Sequence, residues 1–147
     1  MTNTLASHSE DDTVDAGRRL GSTLAPGAVV LLFGDLGAGK TAFVRGLAEG
    51  LGVDGHDVSS PTFMLIQEYR GGRLRLYHVD LYRLENARET DDLGLDELGD
   101  GAVLAIEWAE KLPRSPGAAI RVTIVEAEDE TRLITIHTPN DEFGLSF

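Results

Sequence analysis

Two stretches of the chain are apolar at every position, Ala28-Val29-Val30-Leu31-Leu32-Phe33 and Ala102-Val103-Leu104-Ala105-Ile106. A strand needs such a run only when both faces of its sheet are covered, so these segments predict central strands of a layered α/β domain. Between them the period changes. From Lys40 to Leu51 the residues Phe43, Val44, Leu47, Ala48 and Leu51 recur at helical spacing, and Gly52 supplies a C-terminal stop. Val14, Leu20 and Leu24 share a helical face over Thr13 to Leu24, ended by Pro26-Gly27, and a short edge strand is expected around Leu5. Thr62 to Tyr69 and Arg73 to Leu81 read as strands joined by a tight hairpin at Gly71-Gly72, because paired glycines readily take positive φ. Glu85 to Leu98 is mostly polar and predicts one or two short helices around Gly94. Ala119 to Val125 and Arg132 to Thr138 predict a last hairpin across the acidic turn Glu126 to Glu130. The expected architecture is a three-layer α/β fold with a mixed parallel and antiparallel sheet. Its 147 residues suit one domain, 1–147, without repeat or linker.

Residues 34 to 41, Gly34-Asp35-Leu36-Gly37-Ala38-Gly39-Lys40-Thr41, carry the spacing Gly-x-x-x-x-Gly-Lys-Thr directly after an apolar strand and directly before a helix. That is the context a P-loop requires. Glycines let successive backbone N–H groups turn inward, and the helix adds its positive end, so Asp35, Leu36, Gly37, Ala38, Gly39, Lys40, Thr41 and Ala42 are the candidate nucleotide-binding residues. Lys40 is expected as an exposed charge near the β- and γ-phosphates, with a catalytic role. The Thr41 hydroxyl is placed to ligate magnesium.

Further metal ligands are sought where strands end near this loop. Asp80 follows Tyr77-His78-Val79, and Glu107 follows the second apolar run. Each is either a Walker B-type acid that holds magnesium or orients water, or an exposed strand-end carboxylate. In Val58-Ser59-Ser60-Pro61-Thr62, Thr62 either offers a hydroxyl to magnesium or merely starts a strand. Trp108, the single tryptophan, lines the nucleotide site, anchors a partner, or is simply a buried aromatic. His78 alternates with apolar positions and reads as structural. Arg70, Arg73 and Arg75 surround the glycine turn, either as solvated charges or as a contact for a partner or RNA. No arginine is placed by spacing alone to reach a γ-phosphate; Arg45 and Arg83 are the nearest in sequence. The guanine-reading Asn-Lys-x-Asp is absent, which favours adenine.

Charge limits the partners. Thirteen basic against 25 acidic residues leave a formal charge of −12, so the molecule repels polyanions and any role on RNA should run through another protein. The acidic clusters Glu10 to Asp15, Asp91 to Asp100 and Glu126 to Glu130 are solvated faces or a docking surface. Without cysteine there is neither disulfide nor thiolate zinc, and His8, His56, His78 and His137 lack metal-ligand spacing. No apolar run suits a membrane and Met1 to Glu10 does not resemble a secretory signal, which leads to the expectation of a cytoplasmic protein.

Taken in order, the phosphate loop, Ser59-Ser60-Pro61-Thr62-Phe63, His78-Val79-Asp80-Leu81-Tyr82-Arg83-Leu84 and Ile106-Glu107-Trp108-Ala109-Glu110 resemble the motif series of the TsaE family, from about Asp12 to Leu112. The resemblance implies a P-loop NTPase-like fold, ATP or ADP with Mg2+ at Lys40, Thr41 and Asp80, and an essential acidic role for Glu107. It further implies TsaD and TsaB as partners, with tRNA met only through their complex. In such a system, ATP hydrolysis resets the complex during threonylcarbamoyladenosine modification of the adenosine beside the anticodon. A small-molecule kinase is the runner-up, although 147 residues leave little chain for an acceptor pocket and a lid. A non-catalytic nucleotide-dependent switch is the third reading.

Overall fold

The structure is a computed structural model, and it describes residues 2–34, 39–54, 66–82, 94–112 and 118–139. One sheet runs in the order β1-β7-β6-β2-β5-β4-β3, built from β1 (Thr2–Ser7), β2 (Val29–Phe33), β3 (Ile66–Tyr69), β4 (Leu76–Asp80), β5 (Val103–Glu107), β6 (Ile120–Glu126) and β7 (Arg132–His137). The four inner strands β6, β2, β5 and β4 are mutually parallel. Antiparallel pairings add β7 and β1 on one side and β3 on the other. The mixed α/β sheet expected from the apolar runs is therefore present, with those runs at its centre.

Both faces of β2, β4 and β5 are buried, whereas β6 alternates, with Arg121, Val125 and Glu126 exposed. Val30 and Leu32 of β2 pack with Leu20 of helix α1 (Glu10–Gly21) and with Phe43 and Leu47 of helix α2 (Lys40–Gly50). Leu31 points the other way, into a cluster with Val79, Leu81 and Ile106, against which Leu95 and Leu98 of the short helix α3 (Leu95–Leu98) and Leu112 pack. Strand alternation thus divides one apolar run between two cores, which makes three layers.

Helix α1 begins three residues earlier than its apolar spacing suggests. Ser9 accepts from the Asp12 N–H, and Asp12 in turn accepts from the His8 N–H at 2.9 Å, so the polar first turn is tied down from both sides. Helices α1 and α2 approach backbone to backbone. A Cβ on Gly46 would meet the Val14 carbonyl oxygen at 2.0 Å, and one on Gly17 the Phe43 carbonyl oxygen at 2.2 Å.

The tight hairpin expected at Gly71-Gly72 is not formed. Tyr69 pairs with Leu76, so residues 70–75 make a wider connection. Gly72 packs on α2 instead, where a Cβ would meet the Leu51 carbonyl oxygen at 2.2 Å. Arg73, although exposed, also makes contacts within the chain: its guanidinium donates to the carbonyl oxygens of Leu24 and Gly21 at 2.8 Å each, closing the end of α1. Arg70 pairs with Glu68, holding that carboxyl below the usual range, and Arg75 donates to the Tyr77 hydroxyl. Residues 83–93, and with them most of the segment Glu85 to Leu98, lie outside the described residues, as does Thr62 at the predicted start of β3. Among the described residues no helix is long and apolar enough to cross a membrane.

Candidate active site

The parallel strands β2, β4 and β5 end on the same edge of the sheet, where ligands of open α/β sheets bind. A cleft of about 810 Å³ opens there, a size suited to a nucleotide. Its floor is the start of α2. The two long helices differ at this end: α1 has the Ser9 cap and three acids in its first turn, whereas α2 starts at Gly39 with no side-chain cap and no acid in its first turn. The leading N–H groups of a helix have no partner within it, so this bare end presents Lys40, Thr41 and Ala42 to the cleft as an anion site. Gly39 adopts φ +104°, a left-handed conformation that costs glycine little. Asp35, Leu36, Gly37 and Ala38, predicted to complete the phosphate loop, lie outside the described residues.

Lys40 differs from its expectation as an exposed charge. It is 4% exposed, its Nζ donates to the Gly34 carbonyl oxygen at 2.7 Å, and the ammonium lies 3.9 Å from the centroid of the Trp108 ring. An ammonium over an indole face is attracted by the ring quadrupole, which offsets part of the cost of shielding the charge from water. Trp108 meets it by turning sharply after β5, with φ 58° and ψ 43°. Left-handed backbone is strained for a bulky residue, and strain of this kind persists where neighbouring contacts enforce it. Tyr82 supplies one such contact, its ring 4.9 Å from that of Trp108.

The two predicted acids are cross-strand partners. Asp80 at the end of β4 stands opposite Glu107 at the end of β5, and both line the cleft with Thr41. Asp80 Oδ1 accepts from the Tyr82 N–H at 2.9 Å, which orients its carboxylate. Glu107 is buried and its Oε2 is hydrogen-bonded to Nε2 of His78, which is also fully buried. A carboxylate oxygen accepts, so Nε2 is read as the donor of this bond, and Nδ1 has no hydrogen-bond partner among the described residues. No group of three histidines and acids suited to a metal occurs among the described residues. Oxygen donors from Thr41, Asp80 and Glu107 nevertheless suit magnesium, which is commonly held by one or two carboxylates plus phosphate and water.

Sequence reasoning missed the opposite wall. Arg132 opens β7, shares the inward face with Ile134 and Ile136, and lines the cleft. Its Nη1 lies 2.9 Å from the place a Cβ on Gly39 would take, so a bare α-carbon is what lets the guanidinium approach the start of α2. The available signal was a charged residue in phase with two inward apolar ones. Arg45 is also in the cleft, paired with Glu10 at 2.9 Å, while Arg83 and the Ser59 to Thr62 loop lie outside the described residues.

A bare helix end carrying a lysine, at the carboxyl edge of parallel strands and beside two strand-end acids, defines a P-loop-type α/β protein. The sequence profile of the family described as Threonylcarbamoyl adenosine biosynthesis protein TsaE matches residues 7–134. The tRNA threonylcarbamoyladenosine biosynthesis protein TsaE of Bacillus subtilis is 49% identical over 122 residues, covering 82% of this chain and 75% of its own. The protein of the same name from Treponema pallidum is 42% identical over 132 residues, covering 88% and 96%. The crystal structure of Bacillus subtilis YdiB superposes with a TM-score of 0.74 at 32% identity, over 98% of this chain and 90% of that one. The chain belongs to the TsaE family.

Proposed function

We propose that this protein binds ATP with magnesium in the cleft and hydrolyses it as the nucleotide-driven component of tRNA threonylcarbamoyladenosine formation, in the cytoplasm and together with a TsaB–TsaD pair. The observation that carries the reading is the juxtaposition of the uncapped start of α2, with Lys40 and Thr41, and the adjacent acids Asp80 and Glu107 in one cleft. The first N–H groups of α2 and the Lys40 ammonium would receive the phosphates, with Arg132 across the cleft adding positive charge. Thr41, Asp80 and Glu107 would hold magnesium. When bound, that ion neutralises charge on the β- and γ-phosphates. Glu107 would orient the water that attacks the γ-phosphorus as the bond to the bridging oxygen breaks, leaving ADP and phosphate.

Hydrolysis is expected to be slow in the isolated protein and faster with both partners, because closure against another protein excludes water and positions the reactants. Phosphate release measured alone, with each partner and with both tests this. Glu107→Gln should still bind ATP, with hydrolysis falling to a measurable residual rate in every mixture. Fast turnover that partners leave unchanged would return weight to a self-sufficient enzyme, and phosphorylation of a supplied acceptor would favour a kinase.

A further inference from the structure

We propose that His78 is a positioning residue for Glu107, fixing which carboxylate oxygen faces the reaction; this rests on the hydrolytic reading above. The bond crosses the sheet. In the β4–β5 register His78 lies opposite Ala105 and Asp80 opposite Glu107, so the imidazole reaches Glu107 along the diagonal, a distance long side chains span. Leu76, His78 and Asp80 alternate onto the face that carries α2, which brings the ring beneath the end of β5. With Oε2 committed to Nε2–H, Oε1 is the oxygen of Glu107 left for the cleft that the residue lines.

Glutamate has three rotatable side-chain bonds, and an unrestrained carboxylate at a strand end samples several orientations. His78 cannot follow it, being 0% exposed in a strand paired on both sides. A histidine kept only for packing is a poor account of the same facts. Nδ1 has no hydrogen-bond partner among the described residues, a cost that leucine at this position avoids and that packing alone does not offset. The polar ring is explained by what its other nitrogen holds. Groups that orient a catalytic or ligating carboxylate in this way typically matter by about 10–100-fold in activity or affinity.

Two amide substitutions separate positioning from packing. His78→Gln places an amide N–H near the site of Nε2, whereas His78→Asn places it near that of Nδ1, away from Glu107. Steady-state hydrolysis of magnesium-ATP would be measured with the partner pair present. The expected result is that His78→Gln keeps kcat within about 3-fold of the parent, while His78→Asn loses about 10–100-fold with KM nearly unchanged. In a Glu107→Gln background, His78→Asn should cause no further loss, because the group it orients is already gone. Equal kcat in the two variants, or a loss confined to KM, would overturn the proposal. So would an undiminished effect of His78→Asn in the Glu107→Gln background. Absence of hydrolysis by the parent itself would overturn the underlying reading along with this one, and is told apart by that control.

Discussion

Lys40 is held by the Gly34 carbonyl and the Trp108 ring, and a bound phosphate must compete with both for its charge. A substitution that tests the charge should therefore keep the buried stem, which makes Lys40→Met more informative than alanine. We predict that Lys40→Met weakens ATP binding by roughly 30-fold, corresponding to about 2 kcal/mol for a charge-assisted contact, without loss of the fold. Titration calorimetry with a circular dichroism control checks it. Because the ammonium sits against the single tryptophan, parent emission should change on nucleotide addition and the variant should show a smaller change. The motif made the place of Lys40 at the start of a helix after an apolar strand legible, but not its burial. Spacing along a chain does not show that the indole will turn back over the amine, since that depends on a left-handed residue that propensity disfavours. Arg132 was illegible for a related reason. Its place beside Gly39 arises from the order in which distant strands enter the sheet.

Between elements, the crossing of α1 and α2 decides where the cleft-facing end of α2 lies. Gly46→Ala would push a methyl against the Val14 carbonyl oxygen, the Arg18 nitrogen and the Gly17 α-carbon, all of them backbone. Rigid neighbours cannot step aside, so the helices must separate. The expected cost is about 3 kcal/mol, or a melting temperature lower by roughly 6–12 °C. Gly71→Ala meets nothing within 4 Å and bears only the conformational cost of its φ of +106°, about 1–2 kcal/mol. Thermal melts of the two variants check the ranking, and equal losses would contradict the close approach. The central strands were readable because complete burial leaves an unbroken apolar run. The turn at Gly72 was misread, and the contacts of Arg73 within the chain were not foreseen, because both residues meet other elements, Leu51 in one case and the end of α1 in the other. A local turn signal and a tertiary close approach call for the same residue, glycine, and sequence alone favours the nearer explanation.

At the scale of the molecule the formal charge is −12, and in the cleft Lys40, Arg45 and Arg132 stand among the acids Glu10, Asp80, Glu107, Glu126 and Glu130. Individual cations in such a cleft act on a small ligand within a few ångströms but do not offset the long-range field felt by a polynucleotide. We predict that the isolated protein binds tRNA more weakly than about 10⁻⁴ M at physiological salt. Gel-shift titration of tRNA alone, then with the TsaB–TsaD pair added, checks this; tight binding without partners would refute the indirect role.

The pairing of β1 with β7 has a consequence during synthesis. Thr2 and His137, whose side chains meet at 2.7 Å, are 135 residues apart, and the cleft walls include Ser9 just beyond β1 and Arg132 at the head of β7. Contacts so distant along the chain form only after the last strand has left the ribosome. A nascent chain stopped before residue 132 would carry the cleft-facing helix end and both acids yet lack a wall of the cleft. Under the proposed function, competence to grip a nucleotide would arrive together with completion of the sheet, and a truncated product would have little means of consuming ATP.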